Sequence, residues 1–298
     1  MILFVIRKGD ETLNKQAVWF PDTLEKTYKL KRQYYYNSCL IAGGTLLQTE
    51  WEKGIQCPEN IISIENIKEL KEIELVTKYG QSFIQIGALT TLDCCRNNPI
   101  FLENVPILVE AVRNIASPAI RNRATIGGNV ANGYGDVIPA LLVLDASLLL
   151  YDGDKIKVKK LTECIKEKNF LLNSILVSIT IPVQKKKTSE NYFYKKIGLR
   201  ENFCQSIVSI CGYFKTGKKK VIEKVHLAVS GSSFLPQRLN RTEELIKELL
   251  LPPFQFNEIA QSIKKEFNPP SDHFSSSNYK QDITINIIVS EIAKLSSK

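Results

Sequence analysis

Between Ile115 and Asn132 the sequence reads IASPAIRNRATIGGNVAN. This stretch places the pair Gly127-Gly128 among small polar residues at a predicted turn. Glycine accepts the backbone conformations in which successive N–H groups point to one side, and a concave backbone of this kind binds anions. We interpret the stretch as half of a cofactor-binding site.

A second glycine pair lies far upstream, in the segment Cys39–Leu47, which reads CLIAGGTLL. A short apolar strand, predicted over residues 38–42, leads into Gly43-Gly44, and helix-tolerant residues follow. A strand, a glycine turn and a helix together present N–H groups to phosphate. The pattern is not the GxGxxG of a Rossmann fold. Two such loops could clamp one diphosphate.

Length and composition indicate a globular chain of two or three compact units, because its 298 residues are 44% hydrophobic and 24% charged. The net charge of +9 fits a nucleic acid, an acidic partner or a basic surface without a partner. Much of the lysine occurs in runs, at 185–187 and 218–220, which are typical of solvated hairpin tips. Since no aromatic residues interleave with these runs, we expect no nucleic-acid binding.

Cysteine spacing and apolar runs bear on the cellular compartment. Seven cysteines, none in a CxxC or Cys–His ligand spacing, predict a reduced chain without a metal site. The adjacent Cys94 and Cys95 are expected to fill helix positions. The apolar run Ile2–Ile6 is too short for a signal peptide, and Val137–Leu150 is too short to cross a bilayer. We therefore expect a soluble, cytoplasmic protein without membrane contacts.

Apolar periodicity predicts an α+β fold of short helices and strands. Helices are predicted over residues 23–36, 89–97, 107–115, 243–251, 257–267 and 284–294, the first with Asp22 as its N-cap. Strands are predicted over residues 61–64, 73–77, 83–87, 146–151, 155–158, 175–181, 192–197, 206–214 and 221–230. The polar stretch Lys185–Glu190 indicates a domain boundary.

Side chains that commonly catalyse reactions are scarce in this chain. Its two histidines, His226 and His273, have no Cys, Ser or acidic residue at a motif spacing, so we expect them to be structural. The sequence has no P-loop, nucleophile-elbow or zinc signature. A bound flavin would transfer electrons with its own ring and leave binding and orientation to the protein. We therefore predict cofactor-binding residues but no catalytic residue.

Three segments resemble one known family: IAGGTLL at Ile41–Leu47, IGALTTL at Ile86–Leu92, and the stretch Ile115–Asn132. They resemble the FAD-binding, or medium, subunit of the molybdenum hydroxylases, the family of xanthine dehydrogenase and carbon monoxide dehydrogenase. Further segments continue the resemblance in the family's order, at Pro139–Leu142, Leu144–Ala146 and Lys196–Arg200. The resemblance covers most of the chain.

The resemblance implies a fold of two domains. Residues 1–183 would form a two-part FAD-binding domain of the vanillyl-alcohol-oxidase type, with parts of about 1–56 and 57–183. Residues 190–298 would form a small C-terminal α+β domain, an antiparallel sheet with helices. The iron–sulfur insertion of some family branches has no counterpart here, because its cysteine cluster is missing.

The resemblance also implies two cofactor-binding loops. The residues expected in them are Ile41, Ala42, Gly43, Gly44, Thr45, Leu46 and Leu47, then Thr125, Ile126, Gly127, Gly128, Asn129 and Asn132. Backbone N–H groups of residues 42–47 and 125–129 would wrap the diphosphate and the ribityl chain. The hydroxyls of Thr45 and Thr125 would be further donors.

Positions outside the two loops would contact the flavin ring. Gly87 and Ala88 would let the ring approach the backbone closely, and Ser117 and Ile120 would line its pocket. Leu176 would pack on the far side of the cofactor.

Two charged residues have implied roles toward FAD. Asp136 would accept hydrogen bonds from FAD hydroxyls, since a carboxylate beside phosphate would repel it. Lys196 would lower the cost of a reduced, anionic flavin. The alternative for Lys196 is a strand lysine that only reaches toward solvent.

The resemblance implies an FAD-dependent electron-transfer subunit, most like the xanthine or purine dehydrogenase group. Electrons from a molybdopterin-binding large subunit would pass through the [2Fe–2S] clusters of a small subunit to this FAD, and then to NAD or another acceptor. The positive charge would suit an acidic iron–sulfur partner. Two alternatives remain, a stand-alone flavin oxidoreductase and a non-catalytic scaffold without FAD. The segment Asn132–Asp136, shorter than is usual in the family, is the support for the scaffold.

Overall fold

Strand-forming segments of the chain assemble into three sheets in the computed structural model. The structure describes residues 2–5, 15–78, 80–167, 169–183, 190–200, 205–217, 221–247 and 256–296. Its mixture of helices and largely antiparallel sheets agrees with the predicted α+β class.

The first sheet is built from four short strands. They are β1 (Ile2–Val5), β2 (Lys15–Trp19), β3 (Ser38–Ile41) and β4 (Asn60–Ser63). The order is β1-β2-β4-β3, with β1 antiparallel to β2, and β4 parallel to both β2 and β3. The indole of Trp19 donates a hydrogen bond to Asn60 Oδ1 at 2.9 Å and so ties β2 to β4.

Two helices connect the strands of this sheet, α1 (Leu24–Tyr34) and α2 (Thr45–Glu52). The N-cap of α1 is Thr23, whose hydroxyl accepts a hydrogen bond from the Lys26 N–H at 3.2 Å. This corrects the predicted N-cap, Asp22. The Asp22 carboxylate pairs instead with the Lys26 ammonium at 2.7 Å, on the exposed surface.

The second sheet is antiparallel. Its strands are β5 (Ile73–Lys78), β6 (Gln81–Gly87), β7 (Ser147–Tyr151), β8 (Ile156–Lys160) and β9 (Ile175–Val183). The order is β5-β6-β9-β7-β8, so the central strand, β9, joins two hairpins. All five lie close to their predicted positions, because each combines apolar residues with a turn on either side.

A helical segment separates β6 from β7. Its helices are α3 (Leu92–Asn97), α4 (Pro99–Asn104), α5 (Pro106–Arg113), α6 (Pro118–Arg121), α7 (Ile126–Ala131) and α8 (Ile138–Val143), and α9 (Leu161–Cys164) follows β8. The predicted helix over 89–97 is too long at its start, because the Thr91 hydroxyl caps α3 by accepting from the Cys94 N–H. Apolar periodicity cannot predict most of these short helices, since they make fewer than two full turns.

The third sheet is an antiparallel meander. Its strands are β10 (Glu190–Gly198), β11 (Ser206–Thr216), β12 (Ile222–Gly231) and β13 (Phe234–Arg238), in that order. The helices α10 (Asn240–Ile246), α11 (Phe256–Glu266) and α12 (Ser277–Ser296) follow it. Apolar residues of β11 and β12, such as Val208, Ile210, Leu227 and Val229, form one buried core with these helices.

The opposite face of the third sheet packs against α5 and α8. The two halves of the chain, residues 2–183 and residues 190–296, therefore share a buried contact. Tyr194, Cys211 and Ala228 join the core that contains the second sheet and its helices. Alternate residues of β11 and β12 therefore enter different cores, as the period of a strand requires.

His226 lies in this contact and has the structural role expected for it. Its Nδ1 is 2.7 Å from the carbonyl oxygen of Val143, at the end of α8. Burial, and then the nearby Arg238 cation, lower the pKa of the imidazole, although Asp145 acts in the opposite direction. The folded protein therefore favours neutral His226.

Acidification is expected to destabilise the protein through His226. The unfolded chain takes up the proton near pH 6.5, above the pKa in the folded protein, so the stability falls as the pH decreases below 6.5. Urea unfolding between pH 8 and pH 5 should show this loss, and His226→Gln should reduce it. A variant with the wild-type slope would contradict the assignment.

Some predictions fall outside the described residues. They are residues 185–189 of the predicted boundary Lys185–Glu190, the lysine runs at 185–187 and 218–220, residue 6 of the N-terminal run, and the end of the predicted helix at 248–251. Within the described ranges, no helix is both long and apolar enough to cross a membrane.

Candidate functional site

Helix α2 begins directly after the first glycine loop and close to the second loop. No side chain caps its N-terminus. Gly44 is the N-cap of α2 with a φ of 71°, in the left-handed region that favours glycine, and it offers no side chain to the first turn. The leading N–H groups of a helix have no partner within the helix, and the helix dipole adds partial positive charge there. The start of α2, at Thr45, Leu46 and Leu47, is therefore suited to an anion.

Gly43 brings the two loops into direct contact. A Cβ atom at this position would lie 1.8 Å from the carbonyl oxygen of Arg123. Only glycine permits this approach, so the turn before Thr125 packs on the backbone that leads into α2.

The second loop is fixed by backbone hydrogen bonds to the segment after β6. Ile126 N–H donates to the Thr90 carbonyl at 2.9 Å, and Gly127 N–H donates to the Ala88 carbonyl at 3.0 Å. A Cβ at Gly127 would meet the Ala88 carbonyl oxygen at 2.5 Å. The three segments predicted to bind the cofactor therefore converge.

Thr125 is the N-cap of α7. Its hydroxyl oxygen accepts a hydrogen bond from Gly128 N–H at 3.0 Å, which leaves the hydroxyl proton available for donation. In the same loop, Asn129 Oδ1 accepts from the Val137 N–H at 3.2 Å. Asn132 is exposed just beyond α7.

The segment from Asn132 to Asp136 folds tightly onto the second loop. A Cβ at Gly135 would lie 2.0 Å from Asn129 Oδ1, and Gly133 has a φ of 76°. Tyr134 projects outward and is exposed. The backbone of this short segment therefore depends on Gly133 for its left-handed conformation and on Gly135 for its close contact with Asn129.

Gly87 and Ala88 lie at the end of β6. A Cβ at Gly87 would lie 2.3 Å from the Leu70 carbonyl oxygen, so packing within the protein already requires glycine there. The Ala88 N–H donates to the Val177 carbonyl at 2.9 Å. The predicted approach of a flavin ring to these residues stays a prediction.

Two buried hydroxyls near this strand end have no partner among the described residues, Thr90 Oγ1 and Ser178 Oγ. Buried polar atoms are nearly always hydrogen-bonded in native proteins, so such atoms point to a missing ligand or water. With the uncapped start of α2 and the glycine contacts, they fit a dinucleotide cofactor with a diphosphate and several hydroxyls.

Asp136 and Lys196 form an ion pair between the two halves of the chain. The Lys196 ammonium lies 2.8 Å from Asp136 Oδ2, and the two side chains are only 9% and 14% exposed. Lys196 Nζ also donates to the Asn114 carbonyl at 3.3 Å. The buried ion pair excludes the alternative interpretation of Lys196 as a strand lysine whose ammonium only reaches toward solvent.

The other oxygen of Asp136 accepts hydrogen bonds from two serines of β11, Ser206 at 2.7 Å and Ser209 at 3.1 Å. Tyr194 donates its hydroxyl proton to the Asp136 carbonyl oxygen, and burial together with Asp136 raises the pKa of this tyrosine. Sequence patterns did not indicate these partners, which lie 58 to 73 residues away. The roles of Asp136 and Lys196 toward FAD stay predictions.

The remaining predicted residues differ in exposure. Ser117 caps α6 through the Ile120 N–H, and the Ile120 side chain is exposed, as is that of Leu46. Leu176 is buried within β9 and packs in the main core. A cavity of about 520 Å³ between Asp145, Lys166 and Arg238 contains none of the predicted site residues.

Comparison with known proteins identifies the family of the chain. A family model described as the FAD binding domain in molybdopterin dehydrogenase matches residues 13–184, more than half of the chain. The nicotinate dehydrogenase FAD-subunit of Eubacterium barkeri is 33% identical over 200 residues, which are 63% of this chain and 64% of that subunit. The match thus spans just under two thirds of that relative.

Two further matches cover more of the chain. The glyceraldehyde dehydrogenase medium chain of Sulfolobus acidocaldarius is 27% identical over 252 residues, 83% of this chain and 86% of that one. Among solved structures, a chain of carbon monoxide dehydrogenase from Hydrogenophaga pseudoflava has a TM-score of 0.84 at 20% identity, covering 92% of this chain and 95% of that one, which shows a shared fold. The chain therefore belongs to the family of FAD-binding medium subunits of molybdenum hydroxylases, and its cofactor is FAD.

Proposed function

We propose that the chain binds FAD across its two glycine loops and serves as the electron-transfer subunit of a molybdenum hydroxylase. The observation that carries the proposal is the contact between Gly43 and the Arg123 carbonyl, which sets the uncapped start of α2 beside the second loop. The leading N–H groups of α2 and the hydroxyl proton of Thr125 can then converge on one diphosphate, whereas the N–H groups of residues 126–129 already donate within the protein.

The chemistry that FAD supplies when bound is electron transfer, in our proposal from the [2Fe–2S] clusters of a partner subunit to NAD or another acceptor. The protein's part is binding and orientation. Ser117 and Ile120 would line the flavin pocket, Leu176 would support its far side, and Lys196 would supply a cation held in place by Asp136.

The holoenzyme in this proposal contains a molybdopterin-binding large subunit and a [2Fe–2S] small subunit. The relatives act, by their names, on nicotinate and on glyceraldehyde, so a xanthine or purine substrate is one member of a wider class. We further propose the domain division 1–183 and 190–298, with a two-part first domain of the vanillyl-alcohol-oxidase type, and a cytoplasmic location.

The first test is the visible spectrum of the purified chain before and after addition of FAD. We expect a flavin spectrum, and chromatography of the heat-released nucleotide should identify FAD. A colourless protein that also fails to bind added FAD would contradict the proposal and favour a scaffold role.

The second test concerns the partners. Affinity purification of the chain from its own cells should recover a molybdopterin-binding subunit and an iron–sulfur subunit. An isolated flavoprotein that oxidises a small molecule at full rate without partners would instead support a stand-alone oxidoreductase.

A further inference from the structure

A cavity lies between the two halves of the chain, outside the predicted FAD site. Its volume is about 520 Å³, and no residue predicted to bind FAD lines it. The first half supplies the end of α8 and residues between 160 and 166, and the second half supplies residues between 236 and 240. Sites for small molecules have volumes of about 300–1,000 Å³. The cavity is therefore large enough for a small organic ligand.

Arg238 and Asp145 join the two halves in the wall of this cavity. Nη1 of Arg238 donates to the Leu142 carbonyl at 3.2 Å and lies 3.1 Å from Asp145 Oδ1. Arg238 also pairs with Glu243, and the Lys224 ammonium lies 3.6 Å from the other oxygen of Asp145. Asp145 is the single carboxylate among the described residues that line the cavity. Its charge is therefore already compensated by cations of the second half.

Two lysines line the cavity without a counter-ion. Lys160 ends β8 and Lys166 follows α9, and both are exposed. No Asp or Glu oxygen of the described residues lies within 4.0 Å of either ammonium. Lys159 differs, because it pairs with Glu167 at 3.0 Å and does not line the cavity. Two uncompensated positive charges at one cavity favour an anionic ligand.

Apolar residues form another part of the cavity wall. Leu142, Ala146 and Pro236 line it and are buried. An inorganic ion would leave this apolar surface in contact with water, whereas the carbon skeleton of an organic anion would cover it. Ligand sites typically combine an apolar wall with a few charged groups that orient the ligand.

We propose that this cavity binds a small organic dianion, a phosphate monoester or a dicarboxylate, whose negative charges are held by Lys160 and Lys166. The site does not depend on FAD, because the cavity shares no residue with the predicted cofactor site.

Titration calorimetry of the full chain tests this site with two probes, phenyl phosphate and phthalate, at about pH 8, where both are dianions. Phenol carries the ring without the charge, and inorganic phosphate carries the charge without the ring. Each probe is titrated with and without saturating FAD. The variants are Lys160→Gln, Lys166→Gln and the two combined. Lys157→Gln is the matched control, because Lys157 is an exposed lysine of β8 that does not line the cavity.

We expect saturable binding of at least one dianion, tighter than that of phenol or inorganic phosphate. Each of Lys160→Gln and Lys166→Gln should raise its Kd at least about threefold, and the double variant at least about tenfold. Lys157→Gln should stay within about twofold of the wild type, and FAD should not change the Kd. Both substituted lysines are exposed, so we expect the variants to fold.

The two probes distinguish the two sources of the anion. Tighter binding of phenyl phosphate would identify a phosphate monoester, and tighter binding of phthalate a dicarboxylate. The inference is overturned if neither dianion binds saturably, if Lys157→Gln weakens binding as much as the cavity variants, or if FAD competes with the probe, which would place the probe at the glycine loops.

Discussion

Replacing Gly43 by alanine is expected to abolish FAD binding and to lower the free energy of unfolding by about 3 kcal/mol. The new Cβ would lie 1.8 Å from the Arg123 carbonyl oxygen and 2.6 Å from its carbonyl carbon. Both are backbone atoms, so no side-chain rotation relieves the clash. The loops must separate, and separation removes the junction at which the diphosphate would bind.

Gly54→Ala is the matched control for this prediction. Gly54 has a φ of 90°, but nothing lies within 4 Å of the added Cβ. The substitution should therefore cost only the backbone strain, about 1 kcal/mol, and leave FAD binding unchanged. Urea unfolding and FAD titration of the two variants measure both quantities. A Gly43→Ala protein as stable as the control would contradict the observed contact between the loops.

The sequence predicted the parts of the site that are encoded locally. A glycine pair after an apolar strand, and another within a run of small polar residues, indicate backbone turns, and the structure brings both turns together. The strands of the second sheet, and β10, β11 and β12 of the third, could be predicted in the same way, because a run of apolar residues between turns is a local pattern. The short strand β13 was not predicted. The family resemblance then supplied the cofactor, which local patterns alone leave open.

Contacts between distant residues could not be predicted in this way. Asp136 meets Ser206 and Ser209 only because the third sheet packs on α5 and α8, and serine at these positions carries no motif. Arg121 likewise follows a Ser-Pro pair without any motif of its own, and only the structure shows that it is buried and donates to the carbonyl oxygens of Ile115 and Ala116. Tertiary packing decides both environments.

The ion pair between Asp136 and Lys196 should be the second large contribution to stability. Asp136→Ala leaves the Lys196 ammonium, 9% exposed, without its counter-ion and removes the acceptor of two serine hydroxyls. Breaking a buried pair from one side costs about 3–5 kcal/mol. Asp22→Ala is the control, because both side chains of its pair with Lys26 are more than 60% exposed and water screens their attraction, so we expect the free energy of unfolding to stay close to that of the wild type.

A double-mutant cycle tests whether the cost comes from the stranded charge. Removing both charges, in Asp136→Ala with Lys196→Met, should restore part of the stability lost in Asp136→Ala, since no unpaired cation then remains in the contact. The free energy of unfolding of Asp136→Asn should lie between those of Asp136→Ala and the double variant, because its amide oxygen can still accept a hydrogen bond from Ser206. If denaturant unfolding shows that the losses of Asp136→Ala and Lys196→Met simply add in the double variant, the two side chains are not coupled and their ion pair contributes no interaction energy of its own to the contact.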